Sequence, residues 1–87
     1  MLYSIVYTVS AEKELSAIPP ADYKKIVTAI NSLSSNTFPP GSLKLEGIKE
    51  KLYRIRKGNY QIIYSVNQNI ITITILKVAH RKDVYRN

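Results

Sequence analysis

The hydrophobic period of this chain changes from about 3.6 residues to about 2 at a Pro39-Pro40-Gly41 break. Before the break, Tyr23, Ile26, Val27, Ile30 and Leu33 recur at helical spacing and make one apolar stripe. After it, apolar and polar residues alternate, which is the period of a strand with one buried face. The N-terminal part therefore supplies helices and the C-terminal part a sheet. A chain with its helices segregated in this way can place them on only one face of that sheet, so the fold class is α+β.

The element boundaries follow from local chemistry. Residues 3–9 are β-branched and aromatic and read as a strand. Ser10 is a candidate helix N-cap, with Glu12 and Glu14 at the positive end of the helix. Pro19-Pro20 ends that helix near Ile18, and Pro20 opens a second one, where its missing N–H is of no consequence. The second helix should run to about Ser34 and form a hairpin with the first. Residues 43–45 make a short edge strand and residues 52–56 a longer one. Lys57-Gly58-Asn59 is a tight turn. Residues 60–66 are the next strand and Asn67-Gln68-Asn69 the next turn. Residues 70–78 form the most apolar strand, expected at the centre of the sheet. Its Ile71, Ile73 and Ile75 would face the helices, with Thr72 and Thr74 on the other side. The expected architecture is a strand, a helix hairpin, then a three- or four-stranded antiparallel meander with both helices on one face. The 87 residues are read as one domain, 1–87.

Composition excludes several function classes. There is no cysteine, so neither a disulfide framework nor a thiolate metal site is expected. One histidine is too few for an ordinary protein zinc site. No apolar run approaches the ~18–20 residues that span a bilayer, and the first residues lack the pattern of a secretory signal. A reducing cytoplasm is the expected location, with no membrane partner. The net charge is +7, and its placement is uneven. Residues 1–43 carry Lys13, Lys24 and Lys25 against Glu12, Glu14 and Asp22, which cancel. Residues 44–87 carry the other ten Lys and Arg against Glu46, Glu50 and Asp83, a surplus of seven. The surplus points to a polyanionic partner such as nucleic acid, or to an acidic protein. Its plainer reading is that it keeps a small domain soluble.

The chemistry open to this half of the chain is narrow. It contains no glycine-rich phosphate loop and too few acids for a two-carboxylate hydrolase or a two-metal nuclease. Cations, one imidazole and phenols remain. That set can cleave RNA without metal, because RNA carries its own nucleophile, the 2′-OH. The protein must orient it, stabilise charge on the phosphorane and move two protons. Arg54 and Arg56, two apart on one strand face, point two guanidinium forks the same way and can each hold a phosphate. The alternative is an ordinary solvated strand face. His80 is the side chain whose ordinary pKa allows proton transfer in both directions near neutrality, although a histidine at a strand end is more often structural. Arg81 and Lys82 are phosphate ligands or surface charge. Tyr85 is a proton acceptor, a stacking ring, or a residue that packs the tail. Tyr60 and Tyr64 share the face of Ile62 and Val66 and read as packing.

At residues 52–64, Leu-Tyr-Arg-Ile-Arg-Lys-Gly-Asn-Tyr-Gln-Ile-Ile-Tyr, the chain resembles the RelE/ParE toxin superfamily. It does so again at residues 77–86, Lys-Val-Ala-His-Arg-Lys-Asp-Val-Tyr-Arg. The usual pattern there is a basic strand, a glycine turn, Tyr-Arg-x-Ile-Tyr, a hydrophobic strand, then His-Arg-x-x-x-Tyr. The order of elements fits along the whole chain, and the tail motif is similar to the RelE branch. The resemblance implies a type II toxin that acts as a ribosome-dependent mRNA endonuclease. It also implies no cofactor, and a hetero-oligomer with a cognate antitoxin. Arg54 and Arg56 match the family's basic strand residues, Arg81 the basic residue before the tail and Tyr85 its terminal tyrosine. His80 matches a histidine that some members use in catalysis. Gln61 stands where the family has arginine, so it can donate a hydrogen bond but supplies no charge. Arg54 and Arg56 replace lysine and do not readily release a proton. Lys44, Lys57, Lys77, Lys82 and Arg86 complete the candidate RNA-binding set, although Lys57 at the turn reads first as a solvated charge. Two rival expectations share the fold: a ParE-like poison of DNA gyrase, and a catalytically inactive homologue that only captures its antitoxin.

Overall fold

The computed structural model describes residues 2–45 and 51–80. Its elements run β1 (Ser4–Tyr7), α1 (Val9–Ser16), α2 (Pro20–Ser32), β2 (Leu43–Lys44), β3 (Leu52–Lys57), β4 (Tyr60–Asn67) and β5 (Thr72–His80). They form a five-stranded sheet in the order β1-β5-β4-β3-β2. β2 to β5 are the antiparallel meander. β1 joins it by pairing parallel to β5, and the long connection that a parallel pair requires runs through the helix hairpin and then β2 to β4. The α+β class and the segregation of helices to one face agree with the sequence pattern.

Four details differ. The cap of α1 is Thr8 rather than Ser10. The Thr8 hydroxyl oxygen accepts from the Ala11 N–H at 3.1 Å and donates to the Leu76 carbonyl at 3.3 Å, so capping also ties the helix to β5. α1 stops at Ser16 and α2 at Ser32, each about one half-turn early. β5 begins at Thr72, because Ile71 has φ +50°, a left-handed conformation that a β-branched residue rarely adopts and that no strand contains. β5 is also not the central strand. It lies between β1 and β4, and β4 is the middle of the five.

The core is one layer between the hairpin and the sheet. Ala11, Leu15, Ile18, Ile26, Ile30 and Leu33 come from the helices and their connection. They meet Ile55, Ile62, Tyr64, Ile73, Ile75 and Val78 from the strands. Pro20 at the first turn of α2 and the stripe through Ile26 and Ile30 behave as the spacing predicts. Tyr23, by contrast, is largely exposed at the edge of the stripe. Tyr64 is wholly buried, and its hydroxyl donates to the Thr37 carbonyl at 2.8 Å, which anchors the loop after α2 to the sheet.

The β4–β5 ladder contains a slip that decides which side chains reach which face. From Asn67↔Thr72 to Tyr64↔Ile75 the pairing is regular. It resumes at Ile63↔Lys77, leaving Leu76 without a partner. A bulge of this kind reverses the alternation beyond it. Ile73 and Ile75 face the helices before the slip. After it Val78 does so, while Lys77 and Ala79 align with β4 residues of the other face.

Candidate functional site

The face away from the helices is built from the residues that alternate with the core set. On β3 these are Arg54 and Arg56, and on β4 Gln61 and Ile63. Arg56 stands opposite Gln61, and Gln61 opposite Ala79, so the three form one row across the sheet. Arg54, Ile63 and Lys77 form the next. The two arginines are about 7 Å apart along β3. Arg56 is exposed and Arg54 half-buried. No carboxylate occupies these two rows.

The turn that closes this end of the sheet has Gly58 at φ +58° and Asn59 beside it. Glycine is favoured there because the first central position of a type II′ hairpin demands positive φ. The turn brings Arg56 and Gln61 into register, as the sequence places them.

His80 is positioned differently. It is the last residue of β5, two beyond Val78 and opposite Tyr60, on the helix-covered side of the sheet. Its ring meets the Tyr60 ring edge-on, with centroids 5.1 Å apart. The slip at Leu76 puts it there, so the sheet brings Arg54, Arg56 and Gln61 together on one face and holds His80 at the rim of the other. Lys77 is on β5 and forms an ion pair with Glu14 at 3.3 Å. The other Glu14 oxygen accepts from the Val78 N–H at 2.9 Å. Glu14 thereby serves the part of the β5 edge that β1, ending at Tyr7, does not reach. Lys44 is exposed on β2 opposite Tyr53, and Lys57 is exposed at the end of β3. Arg81, Lys82, Tyr85 and Arg86 lie outside the described residues.

A basic feature not foreseen from the sequence lies on the helix side. Between α2 and the outer edge of β3 runs a groove of about 730 Å³. Lys24 and Lys25 line it from α2, and Arg56 and Lys57 from β3. Thr28, Ala29, Pro39 and Ile55 supply less polar walls. Counting charge by halves of the chain conceals this, because Lys24 and Lys25 cancel against acids that point elsewhere. β2 covers the outer edge of β3 only as far as Arg54, and no strand among the described residues pairs with that edge beyond it. Among the described residues, no helix is long and apolar enough to cross a membrane.

A two-helix cap over one face of a small mixed sheet, with arginines on the other face, defines a class of basic α+β domains. Comparison with known proteins places the chain within it. The family model of the ParE toxin of type II toxin–antitoxin systems, parDE, matches residues 5–85. The toxin RelG of Mycobacterium tuberculosis is 30% identical over 87 residues, covering 99% of each chain. The toxin RelE3 of Methanocaldococcus jannaschii is 33% identical over 84 residues, covering 93% of each. Among solved structures, the archaeal RelE–RelB complex from Pyrococcus horikoshii aligns with a TM-score of 0.81 and 34% identity, covering 93% of this chain and 97% of that one. The chain belongs to the ParE toxin family of type II toxin–antitoxin systems, within the RelE/ParE superfamily, and its fold is that of a RelE toxin.

Proposed function

We propose that the chain, as one domain over residues 1–87, is a ribosome-dependent mRNA endonuclease that cleaves without a metal ion in the cytoplasm. The observation that carries this reading is the row formed by Arg56 and Gln61, with Arg54 beside it, on a sheet face free of carboxylates in those rows. Two guanidinium forks on one open face suit a phosphodiester that gains charge as the 2′-OH attacks. In this mechanism the 2′-oxygen bonds to phosphorus and the 5′-oxygen leaves. The products are a 2′,3′-cyclic phosphate and a 5′-hydroxyl. Arg54, Arg56 and Arg81 hold the phosphoryl oxygens, and Gln61 donates a neutral hydrogen bond. One group takes the 2′-OH proton and another protonates the leaving oxygen. Tyr85 and His80 share these roles, His80 acting from the rim beside Tyr60. Lys44, Lys57, Lys77, Lys82 and Arg86 supply further contacts to RNA, with Lys77 divided between RNA and Glu14.

The partner is an antitoxin, as RelB is for RelE in the P. horikoshii complex. A segment that is acidic and partly apolar suits the groove between α2 and β3, where four cations surround apolar walls. The assembly is then a hetero-oligomer. The test is expression in growing bacteria with mapping of mRNA 5′ ends on ribosomes. New ends in phase with codons are expected. Normal growth without them, from soluble protein, overturns the reading.

Gyrase poisoning is a second reading, and two observations favour it: the neutral Gln61 on the open face and the location of His80 on the other one. Supercoiling by purified gyrase with and without the protein separates the two. A third reading, a toxin homologue that only captures its antitoxin, predicts that Arg54→Ala with Tyr85→Phe changes nothing in cells.

A further inference from the structure

At the end of the sheet away from the Gly58 turn, a hollow of about 680 Å³ opens beside Phe38 and Tyr53. That volume is within the range of small-molecule sites and admits a nucleotide. Phe38 is the chain's only phenylalanine, and the loop that carries it is held firmly. The preceding residue, Thr37, accepts from Tyr64 at 2.8 Å through its carbonyl and donates to the Leu33 carbonyl at 3.2 Å through its hydroxyl. Yet Phe38 itself is 45% exposed. Its ring lies 4.8 Å from that of Tyr53, which in turn stacks on the buried Tyr64 at 5.8 Å. The three rings form a ladder rooted in the core and open at Phe38. Apart from Val66, the rest of the hollow is polar: Lys51 on one side, and Asn67 at the end of β4 with the turn residues Gln68 and Asn69 on the other.

The geometry points to a subsite for one unpaired base of single-stranded RNA, stacked on Phe38. This inference rests on the endonuclease reading and extends it. An exposed aromatic face accepts any base by stacking. The Gln68 and Asn69 amides offer both donors and acceptors to a base edge. Lys51 supplies a cation for the adjoining phosphate. Ser65 also lines the hollow, four residues along β4 from Gln61, or about 14 Å away. Tyr53 belongs to the helix side of the sheet and Arg56 and Gln61 to the other, so RNA whose reacting phosphate lies at Arg56 and Gln61 reaches this subsite several nucleotides further on, by passing around the Asn67 end of the β3–β4 pair.

The chain has no tryptophan, so Phe38→Trp installs a single fluorescent reporter at the stacking position. A short single-stranded oligonucleotide with 2′-O-methyl riboses, which cannot be cleaved, is titrated against this variant, the wild type and Phe38→Leu. Leucine keeps apolar cover over Tyr53 but offers no face for stacking. Saturable quenching of the tryptophan is expected. Phe38→Leu should bind about tenfold more weakly than wild type, with an unchanged thermal midpoint. Wild-type binding accompanied by no quenching, or by equal affinity of Phe38→Leu, overturns the subsite alone. Failure of the wild type to bind the oligonucleotide overturns the subsite, while the endonuclease reading stands or falls separately on the mapped mRNA ends.

Discussion

Arg56 and Gln61 are direct partners in the β3–β4 ladder, so a side chain at position 61 shares its space with a guanidinium. Gln61→Arg places a second cation across from Arg56 with Arg54 close by. Like charges opposite each other in a sheet lower stability by up to about 1 kcal/mol. The same change adds a phosphate ligand. Its binding to single-stranded RNA should show a salt dependence steeper by about 0.7 in log–log slope, and cleavage on ribosomes should quicken. Salt titrations and urea unfolding of the two proteins check both effects. A slope equal to that of wild type would show that position 61 does not face the RNA.

Arg56 is exposed, and among the described residues its side chain forms no hydrogen bond or ion pair. Arg56→Ala should therefore change stability by less than about 0.5 kcal/mol. Loss of a preorganised donor to the reacting phosphate should nonetheless lower cleavage about a hundredfold. Arg56→Lys should fall between the two, since it restores the charge but not the two-pronged geometry. Rates of mRNA cleavage on programmed ribosomes rank the three. A lysine variant no better than alanine would mean that geometry, rather than charge, is what Arg56 contributes.

The path from residues to this face was readable where one period applies and unreadable where it breaks. The pairing of Arg54 with Arg56 on one side, and of Tyr53 with Ile55 on the other, follows from a strict alternation that β3 obeys. The helix hairpin was equally plain, because Pro20 and the stripe through Ile26 and Ile30 act locally. His80 was not. An unbroken period of two from Thr72 and Thr74 carries it to the open face, but the slip at Leu76 turns it to the other. No residue at the slip announces it: Leu76 is an ordinary strand residue, and the irregularity arises between strands. Ile71 misled for a similar reason, since its apolar, β-branched character suits a strand that its φ of +50° forbids. The α2–β3 groove and the Phe38 hollow join segments far apart in sequence, and charge or hydropathy summed along the chain does not register them.

Glu14 joins α1 to a stretch of β5 edge that lacks a strand partner. Glu14→Ala leaves the partly buried Val78 N–H without its acceptor and should cost about 1–2 kcal/mol. Glu14→Gln keeps an acceptor and gives up only the exposed pair with Lys77, so its loss should stay below about 1 kcal/mol. Hydrogen exchange gives an independent reading, because the Val78 amide should exchange faster in the alanine variant than in the glutamine one. Equal stabilities of the two variants would assign the effect to the ion pair instead.

Tyr64 provides a prediction with a defined pH window. Burial, and secondly the neighbouring Tyr53, push its phenol up to about 12, while the Ser42 side chain acts weakly the other way. In the unfolded chain the same group titrates near 10. Below that value both states hold the proton, and the stabilising contribution of the neutral phenol is complete. Above it the unfolded state releases its proton first. The unfolded state then binds fewer protons than the folded one, so stability falls as pH rises toward the folded value. Tyr64→Phe removes the hydroxyl that donates to Thr37, at an expected cost of about 1–2 kcal/mol near neutrality. It also removes the titration. Groups remote from position 64 cancel between the two proteins, so the difference between their stabilities reports Tyr64 together with its neighbour Tyr53. That difference should be constant up to about pH 10 and shrink above it. Urea unfolding of both proteins on each side of that pH measures it, and a gap that stays constant or widens would refute the buried, neutral phenol.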